Sequence, residues 1–185
     1  MSLAICVYCA SSNRVPKHYL NAARELGEGI AQRGHRLVYG GGKVGLMGEV
    51  ARAVQAQGGH VTGVIPEALR DLELALESAD KMIVTRDMYE RKATMARLAD
   101  AFIALPGGFG TLEEISEIIA HRLLNFHAKP CVILNLNGFY NALLAQFDRF
   151  AAEGFADAAH RHLCHETRTV PETLDLLERL HVKTS

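Results

Sequence analysis

The segment Leu105–Glu114 has the residue types and the spacing to hold an anion beside a carboxylate. It reads LPGGFGTLEE, so three glycines stand between an apolar strand pattern and a helical pattern. Glycine lets the backbone approach a ligand closely, and the first N–H groups of a helix have no partner within that helix. Thr111 suits the N-cap or the first turn, where its hydroxyl can contact the same anion. The segment predicts a phosphate cradle with an acid beside it, which fits chemistry on a phosphorylated sugar.

A second glycine-rich segment, Tyr39–Gly48, also follows a strand pattern and opens a helix. It reads YGGGKVGLMG, and Gly41 and Gly42 are candidate ligand contacts. The alternative is that the glycines of both segments only permit tight turns; two such segments at one sheet edge favour ligand binding. Neither segment is a Walker A sequence, and the first predicted turn, CASSNR, lacks the dinucleotide fingerprint. ATP and NAD are therefore weak candidates.

Two charged residues stand on helix faces that should be at least partly buried. At 100° per residue, Arg91 falls within the apolar stripe of Met88, Met95 and Leu98. Glu114 projects to the edge of the face formed by the apolar residues of the next helix. An Arg turned toward the core needs a partner, because an unpaired buried charge is costly. Arg91 and Glu114 are either a structural ion pair or part of a site; the neighbouring glycine segment favours a site.

That apolar face comprises five predicted core residues: Leu112, Ile115, Ile118, Ile119 and Leu123. Glu113 and Glu117 are predicted to point away from it. Lys92, at the flank of the Arg91 stripe, is placed to reach either the ligand or Glu114.

Composition excludes several classes of protein. The chain has 185 residues, is 49% hydrophobic and carries a net charge of −1, which favours one globular domain over residues 1–185 and gives no reason to expect nucleic acid. No apolar stretch reaches the roughly 20 residues of a membrane span, and no signal peptide is recognisable. Four cysteines fit a reducing compartment. We therefore expect a cytoplasmic protein that does not bind membranes.

Two groups of possible metal ligands are better explained without a metal. Cys6 and Cys9 are predicted to lie on opposite faces of the first strand. The spacings in His160–Glu166, HRHLCHE, match no standard zinc pattern. We predict no metal site.

Short apolar runs alternate with segments of helical period along the whole chain. Strands are predicted at Ala4–Cys9, Arg36–Tyr39, His60–Ile65, Lys81–Thr85, Ala101–Leu105 and Pro130–Leu134. Helices are predicted at Lys17–Gln32, Gly45–Gln57, Met88–Leu98, Thr111–Leu123, Phe139–Glu153 and Pro171–Leu180. This alternation predicts an α/β fold with a doubly wound parallel sheet, whose ligands bind beyond the carboxyl ends of the strands.

Three segments together give the chain a resemblance to a known family. GGGKVGLMG at Gly40–Gly48, MYERKATM at Met88–Met95 and PGGFGTLEE at Pro106–Glu114 resemble the LONELY GUY phosphoribohydrolases, often labelled lysine decarboxylase-like. The resemblance extends to HAKP at His127–Pro130 and NGFY at Asn137–Tyr140.

The resemblance implies a Rossmann-like fold, a homodimer and hydrolysis of the N-glycosidic bond of adenosine-type 5′-monophosphates, without a cofactor. The family's functional arginine and essential glutamate match Arg91 and Glu114, the catalytic candidates. The remaining substrate-binding candidates are Glu73, Lys92, Gly41, Gly42, Gly107, Gly108, Phe109, Gly110 and Thr111.

The chain departs from the family's pattern at Ala120 and His121, where Thr-Trp is common and the Thr contacts substrate, and at Lys43, which replaces a small residue. The alternative function is a non-catalytic module that binds or senses a nucleotide phosphate.

Overall fold

The computed structural model describes residues 2–72, 75–76 and 78–182. Its strands are β1 (Ala4–Tyr8), β2 (Arg36–Tyr39), β3 (Val61–Pro66), β4 (Lys81–Thr85), β5 (Ala101–Ala104), β6 (Cys131–Leu134) and β7 (His165–Thr167). Its α-helices are α1 (Lys17–Gln32), α2 (Gly45–Ala56), α3 (Glu67–Arg70), α4 (Met88–Leu98), α5 (Phe109–Leu123), α6 (Asn141–Ala152) and α7 (Val170–Val182). Short 3₁₀ helices cover Leu136–Gly138 and Ala158–Leu163.

The seven strands form one parallel sheet in the order β4-β3-β2-β1-β5-β6-β7. From β1 the chain moves to one edge through β4, then returns with β5 to the other side of β1. Strand order therefore reverses between β1 and β5, which opens a crevice at their carboxyl ends. The predicted α/β fold is confirmed.

Two hydrophobic layers cover the sheet because successive strand residues face opposite sides. In β1, Ile5 and Val7 pack into one layer, whereas Cys6 and Tyr8 pack into the other. Cys9 shares the layer of Ile5 and Val7, and both Cys6 and Cys9 are free thiols. The interpretation of these cysteines as ordinary residues on opposite faces is confirmed.

Two elements were not predicted from the sequence. The strand β7 has only three residues, and its sequence, HET, lacks an apolar run. The helix α3 spans a single turn, too short for its period to be read. The starts of two predicted helices differ from prediction by a few residues. The helix α5 begins earlier, at Phe109, and α6 begins later, at Asn141.

The predicted buried face of α5 is wrong at Leu123, which is 41% exposed, whereas Leu112 and Ile119 are half-buried and Ile119 packs against the core. Ile115 and Ile118 are buried, but Leu112, Ile119 and Leu123 line an open groove of about 470 Å³ between α5 and α6. The groove also exposes Phe150, which is 40% accessible. Amphipathic period identified the helix; it did not show how much of the apolar face another element covers.

Within the described residues, no helix is both long enough and apolar enough to cross a membrane.

The helices α1 and α2 pack with their backbones in close contact at Gly27. A Cβ atom there would lie 2.4 Å from the Val50 carbonyl oxygen and 2.7 Å from the Ala53 Cβ. A Cβ at Gly29, half a turn away, would meet only Leu174 Cδ1, at 2.6 Å. The first contact is with another helix backbone; the second is with the end of a movable side chain.

We predict that Gly27→Ala lowers the free energy of unfolding, whereas Gly29→Ala leaves it nearly unchanged or raises it. Both substitutions gain about 1 kcal/mol of helix propensity, but overpacking at Gly27 costs about 1–3 kcal/mol. Urea denaturation of both variants measures the difference. Equal stability of the two variants would contradict this account of the α1–α2 contact.

Candidate active site

A cavity of about 340 Å³ lies at the carboxyl ends of β1 and β5, where the strand order reverses. Its walls come from the turn after β1, from α2, α3 and α4, and from the start of α5. The lining residues are Cys9, Ala10, Ser11, Ser12, Met47, Leu69, Met88, Arg91, Gly108, Gly110, Thr111, Glu113 and Glu114. The location agrees with the position predicted for a ligand in this class of sheet.

Arg91 of α4 and Glu114 of α5 form a buried ion pair at the base of this cavity. The Arg91 Nη1 donates to Glu114 Oε1 at 2.6 Å, and each side chain is only 5% exposed. The Arg91 Nε donates to the Val64 carbonyl at 3.1 Å, so the guanidinium is fixed against β3 as well. The structure therefore brings together the two residues that the sequence singled out.

Gly40 makes room for the Arg91 side chain. A Cβ atom at position 40 would lie 1.9 Å from Arg91 Nη2, well inside contact distance. Any other residue at the end of β2 would push the guanidinium away from Glu114. Part of the GGG segment thus serves the ion pair by leaving space beside it.

The charge state of Glu114 reflects two opposing effects. Burial raises the pKa of its carboxyl above the ordinary value, because a charge is poorly solvated there, and the Arg91 guanidinium opposes this rise. The contact with Arg91 favours the ionised form of the carboxyl and so limits this rise in its pKa. The Glu114 carboxylate is a desolvated base held in a defined orientation.

The start of α5 presents backbone N–H groups to the same cavity. Gly108 is its N-cap and carries no side chain that could occupy the helix end, and no acidic residue lies in the first turn. The N–H of Leu112 makes a helical bond to the Gly108 carbonyl at 3.0 Å, which leaves the preceding N–H groups for a ligand. Gly108, Gly110 and Thr111 line the cavity, and anion binding by them stays a prediction.

The other glycine-rich segment is held against the turn after β1. Asn13 Oδ1 accepts from the Gly45 N–H at 2.8 Å, and Gly45 has a positive φ of 61°. A Cβ at Gly45 would lie 2.5 Å from the Ser12 nitrogen. This contact requires glycine and fixes α2 beside the cavity wall formed by Ser11 and Ser12.

Lys92 lies outside the cavity and contacts carboxylates other than Glu114. Its Nζ donates to Glu113 and, at 3.2 Å, to Glu117. Burial lowers the pKa of Lys92, but these two carboxylates outweigh it and the pKa is raised overall. Glu113 is exposed and points away from the apolar face of α5, as predicted, but it also lines the cavity, which was not predicted. Substrate binding by Lys92 remains a prediction, while its observed contacts join α4 to α5.

The other predicted contacts are placed as follows. Gly41 and Gly42 lie beside β3 and Ala75 rather than on the cavity wall. Phe109 is 93% exposed, and Gly107 packs against Thr111. Substrate binding by these four residues stays a prediction. Glu73 lies outside the described residues.

Several lining residues were not predicted from the sequence. Leu69 comes from the single-turn α3, and Met47 from the first turn of α2. Met88, assigned to a buried stripe, is 43% exposed and faces the cavity. The helical period of the sequence correctly placed Met88 on the apolar face of α4. Such a period does not distinguish a face that covers a core from one that lines a ligand site.

Two positions marked by sequence lie away from this cavity. Ala120 lines the groove between α5 and α6, almost two turns beyond Glu114. In the His160–Glu166 segment, His160 Nδ1 accepts from the Asp157 N–H at 3.1 Å and so caps a 3₁₀ helix. In the part of the chain that the structure describes, no cluster of three or more His, Cys, Asp or Glu side chains is arranged to hold a metal.

Solved structures share this fold. A molybdenum cofactor binding protein from Rippkaea orientalis superposes with a TM-score of 0.75 at 23% identity, covering 97% of this chain and 98% of that one. A molybdenum cofactor carrier protein from Chlamydomonas reinhardtii gives a TM-score of 0.75 at 24% identity, covering 99% of each chain. At these identities the likeness concerns the fold alone.

Sequence relatives are much closer. A protein of Oryza sativa subsp. japonica, named "Probable cytokinin riboside 5′-monophosphate phosphoribohydrolase", is 49% identical over 174 residues, which cover 94% of this chain and 77% of the relative. A cytokinin riboside 5′-monophosphate phosphoribohydrolase of Arabidopsis thaliana is 45% identical, covering 94% of this chain and 76% of that protein.

A family model described as "Possible lysine decarboxylase" matches residues 47–177, which include Arg91, Glu114 and the glycine-rich turn before α5. This chain therefore belongs to that family, in which its named plant relatives are cytokinin riboside 5′-monophosphate phosphoribohydrolases.

Proposed function

We propose that this protein hydrolyses the N-glycosidic bond of cytokinin riboside 5′-monophosphates, which are N6-substituted adenosine 5′-monophosphates. The products are the free base and ribose 5-phosphate. The observation that carries the proposal is the buried Glu114 carboxylate, which lines one cavity together with the N-terminus of α5. Family membership and relatives at 45–49% identity support the same activity, so the chain is a hydrolase of the glycosidase class.

The first step is to hold the 5′-phosphate at the start of α5. Unpaired N–H groups and the positive end of the helix dipole attract the dianion, and the Thr111 hydroxyl adds a donor. Ser11 and Ser12 line the same cavity and offer two further hydroxyl groups. Because the phosphate is remote from the bond that breaks, its binding energy serves to orient the ribose.

The second step is cleavage at the anomeric carbon. As the bond to the base nitrogen breaks, positive charge develops on the ribose, and a carboxylate beside it stabilises that charge. Water adds to the anomeric carbon and loses one proton, while the departing base nitrogen gains one. Glu114 lies one helical turn beyond the phosphate cradle, so it can both stabilise the ribose and accept the proton from water.

Arg91 allows Glu114 to perform this role. Without its partner, the buried carboxyl would take up a proton and lose the charge that stabilises the ribose. The contacts of Arg91 with Glu114 and with the Val64 carbonyl hold the carboxylate in one orientation. Arg91 also lines the cavity, and there it can contact the ligand directly.

Lysine decarboxylation, the activity in the family's description, would require a lysine able to form an aldimine with pyridoxal phosphate. Lys92 is engaged with Glu113 and Glu117, which keep it protonated and therefore non-nucleophilic. Lys43 is exposed and does not line the cavity. The residues at the site do not fit this cofactor, and the proposal includes none.

We further propose that the protein is a cytoplasmic homodimer. The apolar groove between α5 and α6, lined by Leu123, Leu143, Phe147 and Phe150, supports an interface between copies. We expect a dimer in sedimentation velocity at micromolar concentration; a monomer would contradict this part of the proposal. The four free cysteines support a reducing compartment.

The activity is tested by incubating the protein with AMP and with N6-isopentenyladenosine 5′-monophosphate and measuring free base and ribose 5-phosphate. We expect Glu114→Gln to lower kcat by about a hundredfold or more, because it removes the charge while keeping the shape. The matched control is Glu117→Gln on the same helix, expected to stay within about threefold of wild type. Binding of either nucleotide by wild type without release of base would favour the non-catalytic module instead.

The pH dependence of turnover follows from the environment of Glu114. The ionised form is active, so activity is full above its pKa and is lost as the pH falls through it. Because burial raises this pKa, the loss should occur above pH 4.5, the ordinary value for glutamic acid. We expect an acidic limb in the kcat profile of wild type and none in the residual activity of Glu114→Gln. An identical limb in both proteins would assign it to another group.

A further inference from the structure

The hydroxyl of Tyr140 contacts the backbone at the start of the glycine-rich turn. Tyr140 directly precedes α6 and is only 6% exposed. Its hydroxyl donates to the Leu105 carbonyl at 2.7 Å. Leu105 follows the last residue of β5 and stands immediately before Pro106 and the two glycines that lead into α5.

The Tyr140 hydroxyl is buried beside the same turn. Burial raises the pKa of Tyr140 well above its ordinary value, and the nearby backbone N–H of Gly107 opposes that rise. The turn has two further anchors: the Leu105 N–H donates to the Tyr8 carbonyl at 2.9 Å, and the Ala10 N–H donates to the Pro106 carbonyl at 3.3 Å. The hydrogen bond from Tyr140 is the shortest of the three.

Tyr140 is itself held by the end of β6. Asn135 Oδ1 accepts from the Tyr140 N–H at 2.8 Å. Asn135 Nδ2 donates to Asn141 Oδ1 at 2.8 Å and to Glu166 Oε1 at 2.9 Å. Asn135 is 2% exposed, and both the oxygen and the nitrogen of its side-chain amide are hydrogen-bonded. This buried network holds the backbone of Tyr140 in place.

The sequence NGFY explains how the chain reaches this position. Asn137 and Gly138 both have positive φ, 51° and 74°, which turn the chain sharply between β6 and α6. Asn and Gly are the residues that adopt this conformation at least cost. Because of this turn, α6 does not start directly after β6, and Tyr140 lies within hydrogen-bonding distance of the residue that follows β5.

We propose that Tyr140 is a positioning residue for the phosphate cradle: its hydroxyl fixes the Leu105 carbonyl, and through it the glycine-rich turn that carries the N–H groups at the start of α5. The inference rests on the proposed function for the identity of the ligand. Gly107 lies close to the first turn of α5, since a Cβ there would be only 2.1 Å from Thr111 Oγ1, and a shift of the glycine-rich turn would therefore alter its packing on Thr111. Loss of the hydroxyl would leave a buried carbonyl unpaired, and the turn would move to satisfy it.

The test is Tyr140→Phe, which removes one oxygen atom and keeps the ring. We expect the dissociation constant for ribose 5-phosphate, measured by calorimetry, to rise roughly tenfold, the scale of one lost hydrogen bond with an unpaired acceptor. Binding of adenine, which has no phosphate, should change less than twofold. In turnover, KM for the nucleotide should rise with the dissociation constant, while kcat stays within about threefold.

Tyr39→Phe is the matched control. Tyr39 is fully buried, and its hydroxyl has no hydrogen-bond partner among the described residues. Its removal should leave ribose 5-phosphate binding and turnover unchanged. Thermal unfolding of both variants checks that each one is folded.

The outcomes separate this inference from the proposed function. Unchanged ribose 5-phosphate binding in Tyr140→Phe, or equal weakening of adenine and ribose 5-phosphate, overturns the positioning role even if wild type releases base. Wild type that binds ribose 5-phosphate but releases no base overturns the proposed hydrolysis, while the binding comparison still decides the role of Tyr140.

Discussion

The charges of Arg91 and Glu114 are buried together between α4 and α5, and each is stabilised by the other. Burying either alone would cost several kcal/mol, which the protein would avoid by protonating Glu114 or by moving Arg91 to solvent. Their 2.6 Å contact therefore fixes both the charge of the carboxylate and the relative position of the two helices. A structural pair of this kind needs no cavity. Here both side chains line one, beside a helix N-terminus suited to an anion.

The surrounding residues stabilise this ion pair in two ways: some leave room for its side chains, and others form hydrogen bonds with it. Gly40 leaves room for the Arg91 guanidinium, and the Val64 carbonyl in β3 accepts a hydrogen bond from the Arg91 Nε–H. Lys92, next to Arg91 in sequence, joins α4 to α5 a second time through Glu113 and Glu117. The carboxylate thus stands at a fixed distance from the start of α5, which is the geometry that the proposed cleavage requires.

Local sequence predicted the features that depend on local rules. The bounds of α1 and α4 and of β2 and β4 agree with the structure, because period and strand composition determine them. Helical projection also found Arg91 and Glu114, since a charge on an apolar face conflicts with the pattern around it. What failed depends on distant contacts: the exposure of Met88, the partners of Lys92 and the role of Gly40 each involve a residue from another element. Tyr140 was marked only as part of the NGFY segment, and no role was predicted for it, because a buried tyrosine before a helix resembles any core aromatic.

The account depends on where the sugar of a bound nucleotide lies relative to residue 114. A crystal structure of Glu114→Gln with an uncleaved adenosine 5′-monophosphate measures this directly. We expect the phosphate on the N–H groups at the start of α5, and the anomeric carbon facing the residue 114 side chain at a distance that one water molecule bridges. A nucleotide bound with its ribose turned away from that side chain, or with its phosphate elsewhere in the cavity, would contradict the account.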